Sequence, residues 1–205
     1  MTTETHLYLA SQSPRRRELL EQMGISFDVL AVDIDETAKN NEPAEKYVVR
    51  LANEKALAGW NIEKHPQKPV LGSDTAVVIN GEILGKPENN DDARRMLQLL
   101  SGKTHQVMTA VTLASKSQNA SEPELTGVLS VSDVTFKTLS WDEITSYVNT
   151  GECDDKAGAY AIQGLAAAFI TYLSGSYSGV MGLPLYETTE LLNNAGIRAD
   201  SLVVS

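Results

Sequence analysis

The run Val70-Leu71-Gly72-Ser73-Asp74-Thr75-Ala76-Val77-Val78-Ile79 constrains the fold more than any other part of this 205-residue sequence. It is apolar on both faces at its C-terminal end, the pattern of a strand covered on both sides in the middle of a sheet. Asn80-Gly81 follows, a dipeptide that favours a two-residue hairpin turn, so Ile83–Pro87 is expected to return beside it. Asp74 interrupts the run. An ionised carboxylate in an apolar strand is costly unless a metal, a cation or several hydrogen bonds compensate it, which makes Asp74 a candidate functional residue. Lys86, on the return strand, is one available partner.

Around this strand, helix and strand signals alternate. His6–Ala10 reads as a strand; Ser13-Pro14 then opens a helix, with Ser as N-cap, Pro at the first helical position and Gly24 as the stop. Phe27–Val32 is a second strand. Pro43 starts a long helix to about Trp60, and a Pro-bounded loop, Lys64–Pro69, leads to the apolar run. Asp91–Leu100 has helical spacing through Ala93, Met96, Leu97 and Leu100. Gln106–Ala114 and Val128–Leu139 read as two strands joined by a polar tip, Ser115–Thr126. Trp141–Thr150 reads as a short helix, Asp154–Gly164 as a loop or strand edge, Ala166–Leu173 as a strand and Pro184–Ala195 as a closing helix. Strands joined by both helices and hairpins imply an α/β class with a mixed sheet. Residues 1–205, with 42% hydrophobic and 21% charged residues, allow one domain built as one core or two closely joined lobes.

Two helices carry charge where local rules disfavour it. Arg15, Arg16 and Arg17 occupy the first turn of the first helix, where the macrodipole favours anions. A phosphate bound there reverses the sign, because backbone N–H groups and guanidinium forks converge on one anion, and Ser11 and Ser13 add hydroxyl donors. The alternative is a solvated basic turn balanced by Glu18 and Glu21. On the second helix, Lys55 falls on the apolar stripe of Val48, Leu51 and Ala58, and either snorkels outward or points into a polar cleft to meet an anion.

Other signals lead nowhere. Gly102-Lys103-Thr104 imitates the end of a phosphate-binding loop, but position 97 is leucine and a strand follows instead of a helix. Gly175–Gly179 lacks the nucleophile-elbow spacing, and His6, His65 and His105 are not paired with a serine there. Ser140 and Glu143 match a capping box. Asp133 fits either a functional carboxylate or the outward face of a sheet.

Composition narrows the partners. Seventeen Lys and Arg against twenty-seven Asp and Glu give a net charge of −10, the wrong sign for a protein that tracks a polyanionic duplex. No nucleic-acid or membrane partner is expected, and no apolar run approaches the roughly twenty residues that span a bilayer. The single cysteine, Cys153, suits a reducing compartment, so a cytoplasmic location is expected.

The sequence Ala10-Ser11-Gln12-Ser13-Pro14-Arg15-Arg16, with Glu54-Lys55-Ala56, Gly72-Ser73-Asp74-Thr75, Gly85-Lys86-Pro87, Ser101-Gly102-Lys103-Thr104-His105, Asp155-Lys156-Ala157-Gly158-Ala159-Tyr160 and Gln163-Gly164, resembles the Maf nucleotide pyrophosphatases. Gly182-Leu183-Pro184-Leu185 is similar to the family's closing segment, and the resemblance runs from about residue 7 to 196. It implies hydrolysis of a nucleoside triphosphate between the α and β phosphates, supported by a divalent cation (Mg or Mn), in an elongated mixed-sheet fold with two lobes around a central cleft. The family's catalytic carboxylate falls on Asp74, as general base or metal ligand, and a further acidic metal position on Glu36. Phosphate-handling positions fall on Ser11, Arg15, Arg16, Lys55 and Lys86. Base preference is tied to positions that here read Arg15, Thr75 and Gln163, resembling the branch that acts on dTTP and UTP; the branch preferring 7-methyl-GTP carries an aromatic at the first and an acid at the last. The resemblance also implies a homodimer and a house-cleaning role against non-canonical nucleotides. Its alternative is a nucleotide-binding regulator of septum formation.

Overall fold

A computed structural model of the chain describes residues 6–62, 68–117 and 122–198. In chain order its elements are β1 (Leu7–Ala10), α1 (Pro14–Gln22), β2 (Phe27–Val29), α2 (Ala44–Ile62), β3 (Val70–Ile79), β4 (Glu82–Leu84) and α3 (Asn90–Leu100). They continue with β5 (Thr104–Ser115), β6 (Glu124–Phe136), α4 (Trp141–Val148), β7 (Ile170–Ser174), α5 (Tyr177–Met181) and α6 (Leu185–Asn194). The strands form a mixed seven-stranded sheet in the order β2-β1-β3-β5-β6-β7, with β4 also on β3. Parallel pairing joins β1 to β2 and β3; antiparallel pairing joins β3 to β4 and β6 to β7. Among the described residues, no helix is long and apolar enough to cross a membrane.

The chain divides into two compact units, one comprising residues up to Asp74, 109–129 and from Gly182, the other Thr75–Met108 and Ser130–Met181. In the first, α2 lies close on β1 and β3 because small residues let the backbones meet. A Cβ on Gly72 would stand 2.4 Å from the Ala52 carbonyl oxygen, and one on Gly59 would stand 2.8 Å from Val70 Cγ1. Buried Ala56 and Trp60 on α2 share one apolar cluster with Ala10 of β1 and Val70 of β3. In the second unit, Val77, Leu97, Phe136, Ile144, Tyr160 and Phe169 belong to one buried cluster.

Local chemistry sets the element ends. Asn80 and Gly81 have φ of 52° and 82°, the left-handed pair a tight hairpin turn requires. Asn89 caps α3 by accepting from the amides of Asp91 and Asp92, and Ser140 with Glu143 forms the expected capping box on α4. Gly102 turns α3 into β5 at φ 68°, so the imitation phosphate loop is a helix-to-strand turn. Asp133 sits exposed opposite Ser174, on the outward side of β6.

One expectation needs correction, and two details go beyond the expectations. The strand expected over Ala166–Leu173 begins only at Ile170; Leu165–Phe169 forms a 3-10 turn, because the Glu152 carboxylate accepts from the amides of Leu165 and Ala166 and removes them from any ladder. Of the two readings for 154–164 the loop holds, and it contains a second such turn, Ala157–Ala159, where Gly158 at φ 68° packs against Val77 with no room for a Cβ. Helix α5 was not anticipated; Ser176 caps it by accepting from the Gly179 amide at 3.0 Å. The loop expected over 64–69 and the tip over 115–126 lie partly outside the described residues.

His105 and Tyr160 fasten the second unit. The His105 ring is 2% exposed, its Nε2 is 2.9 Å from the Tyr160 hydroxyl, and its Nδ1 has no hydrogen-bond partner among the described residues. Burial pulls its pKa from 6.5 down to about 4. The unfolded chain therefore takes up a proton between those values before the folded protein does. The stability His105 contributes is complete above pH 6.5 and falls as pH drops through that window, by roughly 3 kcal/mol in all. Urea unfolding at pH 7 and pH 4 should show this loss in the parent and a smaller one in His105→Gln. Equal losses in the two proteins would assign the acid sensitivity elsewhere.

Candidate active site

Strand β1 ends opposite Gly72, so Ser73 and Asp74 extend β3 beyond their parallel neighbour. The chain leaves β1 through α1 toward β2 on one side and returns through α2 to β3 on the other. Such a change of direction opens a crevice at the carboxyl ends of the two strands, the usual ligand position in open α/β sheets. Ser11, directly after β1, and the first turn of α1 stand at that end.

Four charged groups meet here. The Lys55 ammonium lies 2.7 Å from Asp74 Oδ1 and 2.6 Å from Glu36 Oε1, so it joins a strand carboxylate to a loop carboxylate. Arg16, 9% exposed, donates through Nε to the Gly182 carbonyl at 2.9 Å and through Nη1 to Ser11 Oγ at 3.2 Å. Ser73 donates to the same Gly182 carbonyl at 3.2 Å. Burial raises the Asp74 pKa from its ordinary value and Glu36 adds to the shift, while Lys55 and Arg16 oppose it. Burial also lowers the Arg16 pKa, against the pull of Asp74 and Glu36. The formal charges of these four groups cancel, which is how a carboxylate that is 6% exposed is tolerated.

The loop bearing Glu36 is held from α2. Arg50 grips Glu42 through a two-pronged contact, 2.7 Å at each prong, donates to the Thr37 carbonyl at 3.1 Å and pairs with Glu54 at 3.2 Å. The Tyr47 hydroxyl donates to the Glu36 carbonyl at 3.0 Å. Burial, then the nearby charges of Asp74 and Glu36, push the Tyr47 pKa up to about 12, so it stays a donor.

Of the residues expected from sequence, Ser11, Arg16, Glu36, Lys55 and Asp74 are brought together, and Lys55 turns inward to an acid instead of snorkelling. Arg15 is partly exposed and pairs with Glu18 at 3.0 Å; the Ser13 side chain makes no cap bond to α1. Thr75, Lys86 and Gln163 belong to the other unit, where Lys86 is near enough to lower the Asp155 pKa and Gln163 is exposed. Sequence reasoning missed Tyr47, Arg50, Ser73 and Gly182. The Arg50–Glu54 spacing of four residues was a readable signal. The Gly182 carbonyl was not, being a backbone group 109 residues from Ser73.

Known proteins are similar to this chain over nearly its whole length. The chain is 53% identical over 193 residues to a dTTP/UTP pyrophosphatase of Pseudoalteromonas atlantica, covering 93% of this chain and 97% of that one. It is 52% identical over 198 residues to a protein of the same name from Colwellia psychrerythraea, covering 95% and 91%, and 52% identical over 190 residues to one from Escherichia coli O157:H7, covering 93% of each. The family pattern described as Maf-like protein matches residues 6–195, and the chain belongs to that family.

Proposed function

We propose that this protein hydrolyses dTTP and UTP, and modified pyrimidine nucleoside triphosphates, to the monophosphate and pyrophosphate. The observation that carries the reading is the Lys55 bridge between Glu36 and Asp74 with Arg16 buried alongside, a charge-balanced cluster at the carboxyl end of two parallel strands. The names of relatives about half identical over nearly the whole chain support the substrates.

In this reading a water attacks the α-phosphorus, the bond to the bridging oxygen breaks, and pyrophosphate leaves. Asp74 orients that water and accepts its proton, a role favoured by the upward shift of its pKa on burial. Ser11, Arg15, Arg16, Lys55 and Lys86 hold the phosphate chain and offset the charge that grows on its oxygens. Thr75 and Gln163 contact the base side of the nucleotide. The Gln163 amide offers a donor and an acceptor, matching the imide N–H and carbonyls of uracil or thymine.

Glu36 and Asp74 supply two hard oxygen ligands within reach of one ammonium, a donor set suited to Mg or Mn. Among the described residues no group of three or more His, Cys, Asp or Glu is placed to hold a metal. Two carboxylates suffice where the remaining ligands are waters and the substrate's phosphates. Held by Glu36 and Asp74, such an ion would supply positive charge toward the leaving and equatorial oxygens. A cytoplasmic homodimer acting on small nucleotides, without nucleic acid or membrane, completes the reading.

Pyrophosphate release measured across a nucleotide panel, with and without chelator, tests it. Release from dTTP and UTP abolished by chelator is expected; binding without release on any nucleotide would leave a regulatory nucleotide binder instead. Arg50→Ala should move half-maximal activity to about tenfold higher Mn concentration, as loss of outer support for a metal ligand does. An unchanged metal titration would detach the Glu36 loop from metal binding.

A further inference from the structure

Gln163 stands exposed directly after Ala161 and Ile162, which are 7% and 8% exposed, and just ahead of Ala166, which is fully buried. Side chains from one short stretch hold the backbone on both sides of it. The Tyr147 hydroxyl, on α4, accepts from the Ala161 amide at 3.2 Å and donates to Glu152 Oε1 at 3.0 Å. Glu152 Oε2 accepts from the Leu165 amide at 3.0 Å and Oε1 from the Ala166 amide at 3.4 Å. Three backbone donors that would otherwise need a ladder are satisfied by one phenol and one carboxylate.

The grip is itself fixed. The Tyr147 ring meets Phe169 edge-on at 5.3 Å, and the Thr150 hydroxyl links the Tyr147 carbonyl, at 2.6 Å, to the Glu152 amide, at 3.2 Å. At Gly164 a Cβ would lie 2.3 Å from Glu152 Oε1, so only glycine lets the carboxylate lie against the turn. Burial first, then the Glu152 carboxylate, raise the Tyr147 pKa against the opposing Ala161 bond, which keeps the phenol a donor. An arrangement of this kind, around a single exposed amide side chain, fixes where that side chain starts.

We propose that Tyr147 and Glu152 are positioning residues for nucleobase selection, holding the main chain on both flanks of Gln163 so that its amide meets a pyrimidine edge at a set distance and angle. The inference rests on the reading of Gln163 as the base-contacting residue. A base contact is made alike in the bound substrate and the transition state, so its loss appears in KM and not in kcat.

The test is a double-mutant cycle on dTTP hydrolysis, with thermal melts to confirm folding. Tyr147→Phe, which keeps the packed ring, and Glu152→Gln should each raise KM about tenfold at little-changed kcat, a fraction of what a misplacement of about 1 Å can cost. In a Gln163→Ala background the same substitutions should add nothing, since what they position is gone. Normal KM in both clamp variants beside a raised KM in Gln163→Ala overturns the inference and leaves the base contact standing. So does a KM rise that repeats in full on top of Gln163→Ala. If Gln163→Ala itself leaves KM unchanged, the base-contact reading fails, and this inference with it.

Discussion

Asp74→Asn is expected to lower kcat for dTTP at least about a hundredfold while the protein stays folded, the size of effect associated with losing a general base. Asparagine matches the side chain in shape but cannot accept a proton from water, and it is a poor ligand for a hard cation. Either role of Asp74 therefore leads to the same loss. The fold survives because Lys55 keeps its contact with Glu36 at 2.6 Å, so the ammonium is not left unpaired when one of its two acids is neutralised. Single-turnover rates at saturating nucleotide, alongside a thermal melt, give the measurement. A variant within tenfold of the parent rate would remove Asp74 from the chemistry.

Gly72→Ala should have the largest effect on stability, about 4 kcal/mol or more, in the exceptional range for a single substitution. The added methyl would stand 2.4 Å from the Ala52 carbonyl oxygen and 2.6 Å from the Ala56 nitrogen, both backbone atoms of α2. A flexible side chain can move aside, but a helix backbone cannot without displacing the whole element. The same shift would carry Lys55 away from Asp74, so any folded fraction should also be inactive. Urea unfolding of parent and variant gives the comparison; a difference below about 1 kcal/mol would mean that α2 and β3 are less tightly set than the distances imply.

Much of this was legible in the sequence because the relevant residues broke local rules. Asp74 stood out within an apolar strand, and Lys55 on the apolar stripe of a helix; each anomaly explains the other, as the structure pairs them at 2.7 Å. The arginines of the first helical turn were visible as a group, but their division was not. Arg16 turns inward to the Gly182 carbonyl while Arg15 faces Glu18, and that depends on a carbonyl 166 residues away from Arg16. Residues 166–169 of the turn over 165–169 were misread as strand because their apolar composition suits either state; what decides is the distant Glu152 carboxylate capturing the amides of Leu165 and Ala166. Helix α5 has only five residues, too few for periodicity to register.

The grip of Arg50 on the loop ahead of α2 makes Glu36 a passenger of the helix that also carries Lys55. Lys55 and the acid it bridges to Asp74 consequently move with one rigid rod. A tilt or slide of that rod would carry counter-ion and second acid away as a pair, exposing the strand carboxylate in a single step.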